Sequence, residues 1–215
     1  MYEPHKTVPL AEFHSELLFE FKDIPSPLFD YYLIKAARKM AEDGSLIRRR
    51  AVLHTQRCVT RYRLNSPDGL DICSILSIHA YHCGDCAPHN VSRSFDPPAS
   101  SHCTCCGREN VWYDDAESVL HFRNPFFPAQ YFVSMGVRPS RDACELPVEY
   151  LDSYLETLLM GAKAYILMLT GRPWTNLQLG NAYLKAFYES IAKDAVNTFT
   201  HKQRGSIRMN FGRAL

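Results

Sequence analysis

The period of the apolar positions changes twice along the chain and divides it into three zones. In the first, Leu10, Phe13, Leu17, Leu18 and Phe21 recur at helical spacing until Pro25 stops the pattern. Ser26-Pro27 then reads as an N-cap followed by proline at the first helical position. Phe29, Leu33, Ala36, Ala37 and Met40 mark one apolar face of this second helix, and Gly44 ends it. From Ala51 to Arg138 the helical period gives way to short runs of β-branched and aromatic residues bounded by turn formers. These predict strands over Val52 to Thr55, Val59 to Leu64, Ile72 to His79, Val119 to Arg123 and Tyr131 to Val137. The loop signal Asn65-Ser-Pro-Asp-Gly69 separates two of them, so a small antiparallel sheet or sandwich is expected.

The third zone carries two long amphipathic patterns. Val148, Leu151, Leu155, Leu158, Leu159, Ala162, Ile166 and Leu169 follow Pro147 and end at Gly171-Arg-Pro173. Leu179, Tyr183, Ala186, Phe187, Ile191, Ala195 and Phe199 form the second, which begins near Thr175-Asn176 and stops before Gly205. A connection this short forces antiparallel packing, and the N-terminal helix is expected to complete a bundle against the pair. The predicted fold class is α+β. A helical bundle is built from N-terminal helices (1–50) and a long C-terminal helical hairpin (141–200), with an inserted antiparallel β domain over 51–140. Residues 201–215 read as an extended basic arm. No internal period points to a solenoid or propeller.

Composition agrees with a folded chain, at 46% hydrophobic and 22% charged residues. The formal net charge of +1 gives no overall bias toward nucleic acid, so any such bias is local. The apolar run from Ala164 to Leu169 is too short to cross a bilayer, and Met1-Tyr-Glu-Pro-His-Lys lacks the apolar stretch of a signal peptide. Folding in the cytoplasm and no membrane partner are therefore expected.

In that compartment cysteines are read as thiols or metal ligands. Cys83-Gly-Asp-Cys86 and Cys103-Thr-Cys-Cys106 are two C-x2-C pairs separated by sixteen residues, within the spacing of a four-cysteine zinc site. Two intervening residues let a tight turn aim both thiolates at one tetrahedral ion, and Gly84 and Gly107 suit such turns. The window holds five of the eight cysteines, a clustering that scattered buried thiols do not produce. Residues 82–107 are thus expected to form a zinc-ribbon-like insertion with structural zinc on Cys83, Cys86, Cys103 and Cys106. Cys105 competes with Cys106, and His82, His89 and His102 are further candidates. Four thiolates close the coordination shell, so the ion is structural and not catalytic. Cys58, Cys73 and Cys144 read as small buried or half-buried apolar residues.

Enzyme signatures do not emerge. The chain has no G-x-S-x-G elbow, no phosphate-binding G-x-x-x-x-G-K-[ST], no dinucleotide-type glycine fingerprint and no H-E-x-x-H. A non-enzymatic role is the expectation.

Four passages, in order along the chain, carry a family resemblance. They are Ile24-Pro-Ser-Pro-Leu28 with Ala36-Ala37, Arg61-Tyr-Arg-Leu64 ahead of the Pro67-Asp-Gly69 turn, Val137-Arg-Pro-Ser-Arg-Asp-Ala-Cys-Glu-Leu-Pro147 entering a long helix, and Gly171-Arg-Pro-Trp-Thr-Asn176 entering another. In this order and spacing the chain resembles the adaptor, or head-to-tail connector, proteins of podovirus-type bacteriophages. The cysteine-rich stretch departs from that pattern and looks like an insertion. The resemblance implies a virion structural protein in the neck between capsid and tail, assembled as a ring, expected to be a dodecamer, that docks on the phage portal protein and extends the DNA channel. The ring would give the tail, through its nozzle or hub protein, an attachment platform, with genomic DNA only passing through. It also implies portal docking by the C-terminal arm, here Lys202, Arg204, Ile207, Arg208, Phe211 and Arg213. Charges along the hairpin, such as Glu149, Asp152, Glu156 and Lys163 on one helix and Lys185, Glu189, Lys193 and Asp194 on the other, are either solvated faces or set register between ring neighbours.

Two other readings compete. A zinc-ribbon nucleic-acid-binding protein would use Arg48-Arg-Arg50 and Arg57 to Arg63 to grip phosphates, although the near-neutral charge argues against it. A tail-hub component would use aromatics such as Trp112, Tyr113, Phe126 and Phe127 for contacts, unless these belong to the core.

Overall fold

The computed structural model describes residues 6–18, 21, 24–56, 59–80, 111–114, 117–122 and 130–204. The described chain is α+β, with five helices and three antiparallel sheets. The largest strand pairing is built around β7 (Gln130–Pro139), the central strand between β2 (Arg48–His54) and β4 (Leu70–Ala80). A second sheet orders β3 (Arg61–Arg63), β6 (Val119–Phe122) and β5 (Val111–Asp114). A two-stranded ribbon joins β1 (Thr7–Pro9) to β8 (Glu145–Pro147).

Central position explains why β7 reads so clearly as a strand. Tyr131, Val133, Met135 and Val137 alternate and are all buried, as period two demands of a strand covered on one face. β4 runs beside it with register shifts between Ile72 and Ser74 and between Ile75 and Ser77. At the first of these, Gly136 stands opposite Ser74, and a Cβ at 136 would lie 2.5 Å from the Ser74 hydroxyl oxygen. Only a bare backbone lets the two strands approach so closely there.

β2 begins at Arg48, well before the predicted Val52, because its first half is the arginine run. Arg49 faces inward at 9% exposure and makes a two-pronged ion pair with Glu149, Nη1–Oε1 2.6 Å and Nη2–Oε2 3.3 Å. A charge held in this way can occupy an inward strand position. Arg48 turns the other way and donates from Nε to the Ser45 carbonyl at the end of the preceding helix, 3.1 Å, a favourable place for a cation.

One helix lies on the sheet and two more pack against that helix. α2 (Ser26–Gly44) packs on β7 and against α4 (Leu155–Leu167), and α4 lies along α5 (Leu177–Arg204), which also touches α2. The predicted apolar face of α2 is inside, with Phe29, Leu33, Ala36, Ala37 and Met40 all fully buried. Its start differs from expectation by one residue, since Pro25, in extended backbone, is the N-cap and Ser26 is already helical, whereas the helix ends at Gly44 as expected, followed by Ser45 in the left-handed region (φ 47°). α1 (Ala11–Leu18) buries Phe13 and Leu17 and is tied to α2 by the 2.7 Å His14 Nε2–Asp30 pair. A cluster of Arg38, Arg138, Asp71 and Glu42 fastens α2 to β4 and β7, with Arg38 donating to Asp71 at 3.0 Å and to the Pro139 carbonyl, and Arg138 pairing with Glu42.

The long helix predicted from Val148 to Leu169 is broken into α3 (Glu149–Asp152) and α4, with Ser153 and Tyr154 out of helical geometry. The two pieces answer to different partners. Glu149 is held by Arg49, and the buried Tyr150 hydroxyl donates to the Ala37 carbonyl at 2.8 Å. The α4 stripe of Leu158, Ala162 and Ile166 packs into the helical layer. Where α4 meets α5, a Cβ on Gly161 would come within 2.6 Å of the fully buried Phe187 ring. The connection into α5 is locally closed: Thr175 donates its hydroxyl to the Leu169 carbonyl, Gly171 takes φ +73°, and the Asn176 side chain accepts the Leu179 N–H at 3.0 Å. One continuous core runs from Phe13 and Phe29 through Met135 and Val137 to Leu120 and Phe122, so helices and strands share it.

Candidate functional site

The predicted zinc ligands Cys83, Cys86, Cys103 and Cys106, with Cys105, His82, His89 and His102, lie outside the described residues, as do Cys58, Phe126 and Phe127. Residues 81–110 join the end of β4 in one sheet to the start of β5 in the other. Of the arm, Lys202 and Arg204 are placed by their backbone in the last turn of α5, so helix continues into the first four residues of the stretch read as extended. Ile207, Arg208, Phe211 and Arg213 lie outside the described residues. Cys73 is half-buried, as expected, with its thiol directed at the Ala41 carbonyl at 3.8 Å. Cys144 corrects the prediction. It is exposed, because it precedes β8 in the turn leaving Ser140 and its thiol reaches only the Asp142 carbonyl. Tyr113 is 5% exposed and belongs to the core.

Among the described residues, the surface that stands out runs over α2, α4 and α5. Five large apolar or aromatic side chains remain exposed, namely Tyr31 on α2 and Leu177, Leu179, Tyr188 and Val196 on α5. Four of the five lie along one long helix, and apolar side chains left at the surface are available for contact with a partner. Lys35 sits among the aromatics, its ammonium 4.3 Å from the centre of the Tyr165 ring and 5.6 Å from that of Tyr32. Tyr32 and Tyr165 stack with centroids 6.2 Å apart. Burial above all, then the neighbouring Tyr188 and its hydrogen bond, raises the Tyr165 pKa far beyond that of a free phenol, so the ring stays neutral at any physiological pH. Lys39 is held in its charged form chiefly by its 2.9 Å hydrogen bond to Asp43.

Two open clefts, each of about 460 Å³, flank the α4–α5 pair. The first lies between α2 and the end of α4 and includes Lys35, Arg38, Lys39 and Arg141 with the single acid Glu42. The second lies where α3 and the start of α4 meet α5, and includes Asp152, Glu156 and Asp194 with the single base Lys193. Some hairpin charges expected to face a neighbour are spent inside the chain. Glu149 holds Arg49, Asp194 accepts the Thr157 hydroxyl at 3.4 Å, and Lys185 pairs with Glu189 at 3.9 Å on the helix surface.

Sequence reasoning missed the Arg49–Glu149 pair and the Lys35–Tyr165 stack. The first had a usable signal, an arginine run directly preceding a strand pattern; the second joins residues of two helices far apart in sequence and had none. Compared with known protein families and with curated proteins, the chain matches none.

Proposed function

We propose that this chain is a head-to-tail adaptor subunit of a podovirus-type bacteriophage. It is a structural component of the virion neck, made in the host cytoplasm, with no catalytic role. The observation that supports this most is where the resembling passages fall. Val137 to Pro147 leads out of β7 through β8 into α3, and Gly171 to Asn176 forms the hydrogen-bonded entry into α5. Leu177 and Tyr188, exposed on the same side of α5, fit a subunit whose neighbours complete its surface. In this reading α2, α4 and α5 are the adaptor's helical bundle, with α4 and α5 its long hairpin, and the strands are its inserted β domain. About twelve such subunits close a ring on the portal protein, extend the DNA channel and offer the tail nozzle or hub a platform. Among the described residues no helix is long and apolar enough to cross a membrane.

Two parts of the reading rest on sequence. Cys83, Cys86, Cys103 and Cys106 hold one structural zinc that staples a Pro-, Ser- and Asn-rich segment with little apolar content of its own. The segment from Lys202 through Arg213, basic and without an acidic residue, orders on the portal. Deleting Gly205 to Leu215 is expected to abolish co-sedimentation with portal rings while leaving the circular dichroism spectrum unchanged. Undiminished binding by the shortened chain overturns the arm's role, and no binding by the full chain overturns the adaptor reading.

A further inference from the structure

The two clefts beside α4 and α5 carry opposite charge and lie on opposite sides of the helix pair. Glu156 in one and Tyr165 in the other are nine residues apart on α4, about two and a half turns, which puts them on opposite faces. On α5, Tyr188, which faces Lys39 of the basic side, and Ser190 of the acidic side are two residues apart, about 200° around the axis.

Internal partners occupy part of this charge, since Arg38 is held by Asp71 and Lys39 by Asp43. Lys35 and Arg141 on one side, and Asp152 and Glu156 on the other, are all exposed and make no ion pair among the described residues. Lys35 rests its ammonium over the Tyr165 ring, and none of the four charges is neutralised within the described chain, so one side of α4 keeps net positive and the other net negative charge. Exposed Tyr31 adds an apolar shoulder to the basic cleft.

We propose that these clefts are the two halves of one heterologous contact, in which Lys35 and Arg141 of one copy receive Asp152 and Glu156 of the next. This rests on the ring reading above and gives it a register. Because the halves differ and face apart, each copy presents one of each, and association proceeds head to tail. Charge complementarity of this kind chooses the partner surface and speeds encounter, while the exposed α5 side chains supply apolar area.

The test is sedimentation of the full chain without portal, at low ionic strength. Wild type is expected to associate as concentration rises, and to do so less in about 0.5 M salt, where exposed charges are screened. Lys35→Glu/Arg141→Glu and Asp152→Lys/Glu156→Lys are each expected to associate at least tenfold more weakly, with unchanged circular dichroism. An equimolar mixture of the two variants should associate again, since an all-acidic copy then meets an all-basic one on both sides. The contact is overturned by a wild type that stays monomeric at the highest soluble concentration, by either variant associating like wild type, or by a well-folded mixture that does not recover. A monomeric wild type whose duplex-DNA shift is lost in Lys35→Glu/Arg141→Glu would likewise overturn it and mark the basic cleft as a phosphate site. Recovery in the mixture together with failure to bind a portal would leave the contact standing and remove the adaptor reading; portal binding without salt-sensitive self-association would do the reverse.

Discussion

Tyr150 is fully buried, and its hydroxyl finds its partner in the Ala37 carbonyl, a residue of another helix. Burial foremost drives its pKa far above the free-phenol value of 10.0, so the folded chain keeps a proton that the unfolded chain gives up near pH 10. The sign follows: the stability this group contributes is fully present below pH 10 and declines as pH rises above it. Tyr150→Phe is expected to lower stability at neutral pH by about 1 kcal/mol, the net worth of one hydrogen bond, and to flatten the alkaline decline. Urea unfolding midpoints of both proteins from neutral pH to above pH 10 check this; parallel declines would contradict it. At this scale the sequence was legible where one period ruled. The five residues read as the inner face of α2 are all fully buried, because a face repeated over a long helix averages out single exceptions, although Tyr32, Ile34 and Ala41 are buried beside them and escaped that reading. Cys144 was misread, because a lone residue in a turn has no period and its burial depends on a path the sequence does not spell out.

The α4–α5 pairing depends on a residue that carries no side chain. Gly161 lets the Phe187 ring pack directly on the α4 backbone, with ring atoms 2.6 to 2.9 Å from where a Cβ would sit. Alanine is the better helix former by about 1 kcal/mol, so propensity alone would make Gly161→Ala stabilising. We expect the opposite, a loss of about 1–3 kcal/mol, because Phe187 is fully buried and its ring has nowhere to move. Phe187→Leu in the same chain should recover part of the loss. Thermal unfolding decides, and a Gly161→Ala chain as stable as wild type would contradict the packing. Elements with many periods were legible and short ones were not. β1 and β8 are three residues each, contain or end on proline, and exist by pairing with each other across most of the chain length. Nothing local announces such a ribbon. The break at Ser153 escaped notice because Leu151 and Leu155 on either side are both half-buried against the same core, so the apolar pattern continues through it.

At the scale of the molecule, the order of zones read from the sequence, helix then strand then helix, is the order of the elements apart from the short β1 that precedes α1. The sharing of one core between helices and both larger sheets was not foreseen, since it arises from β7 lying under α2, a long-range contact with no local trace. The cysteine window falls in sequence between β4 of one sheet and β5 of the other, and a chain of this kind is expected to carry about one zinc, lost on Cys83→Ser/Cys106→Ser. Metal analysis of the purified protein reads this directly; a metal-free, fully folded chain would contradict the ribbon. The adaptor role itself is tested most directly by electron microscopy of the full chain mixed with the purified portal protein encoded in the same genome. A ring of added density beneath the portal, with one subunit-sized lobe per portal chain, is the predicted result. Portal particles indistinguishable from portal alone would contradict it.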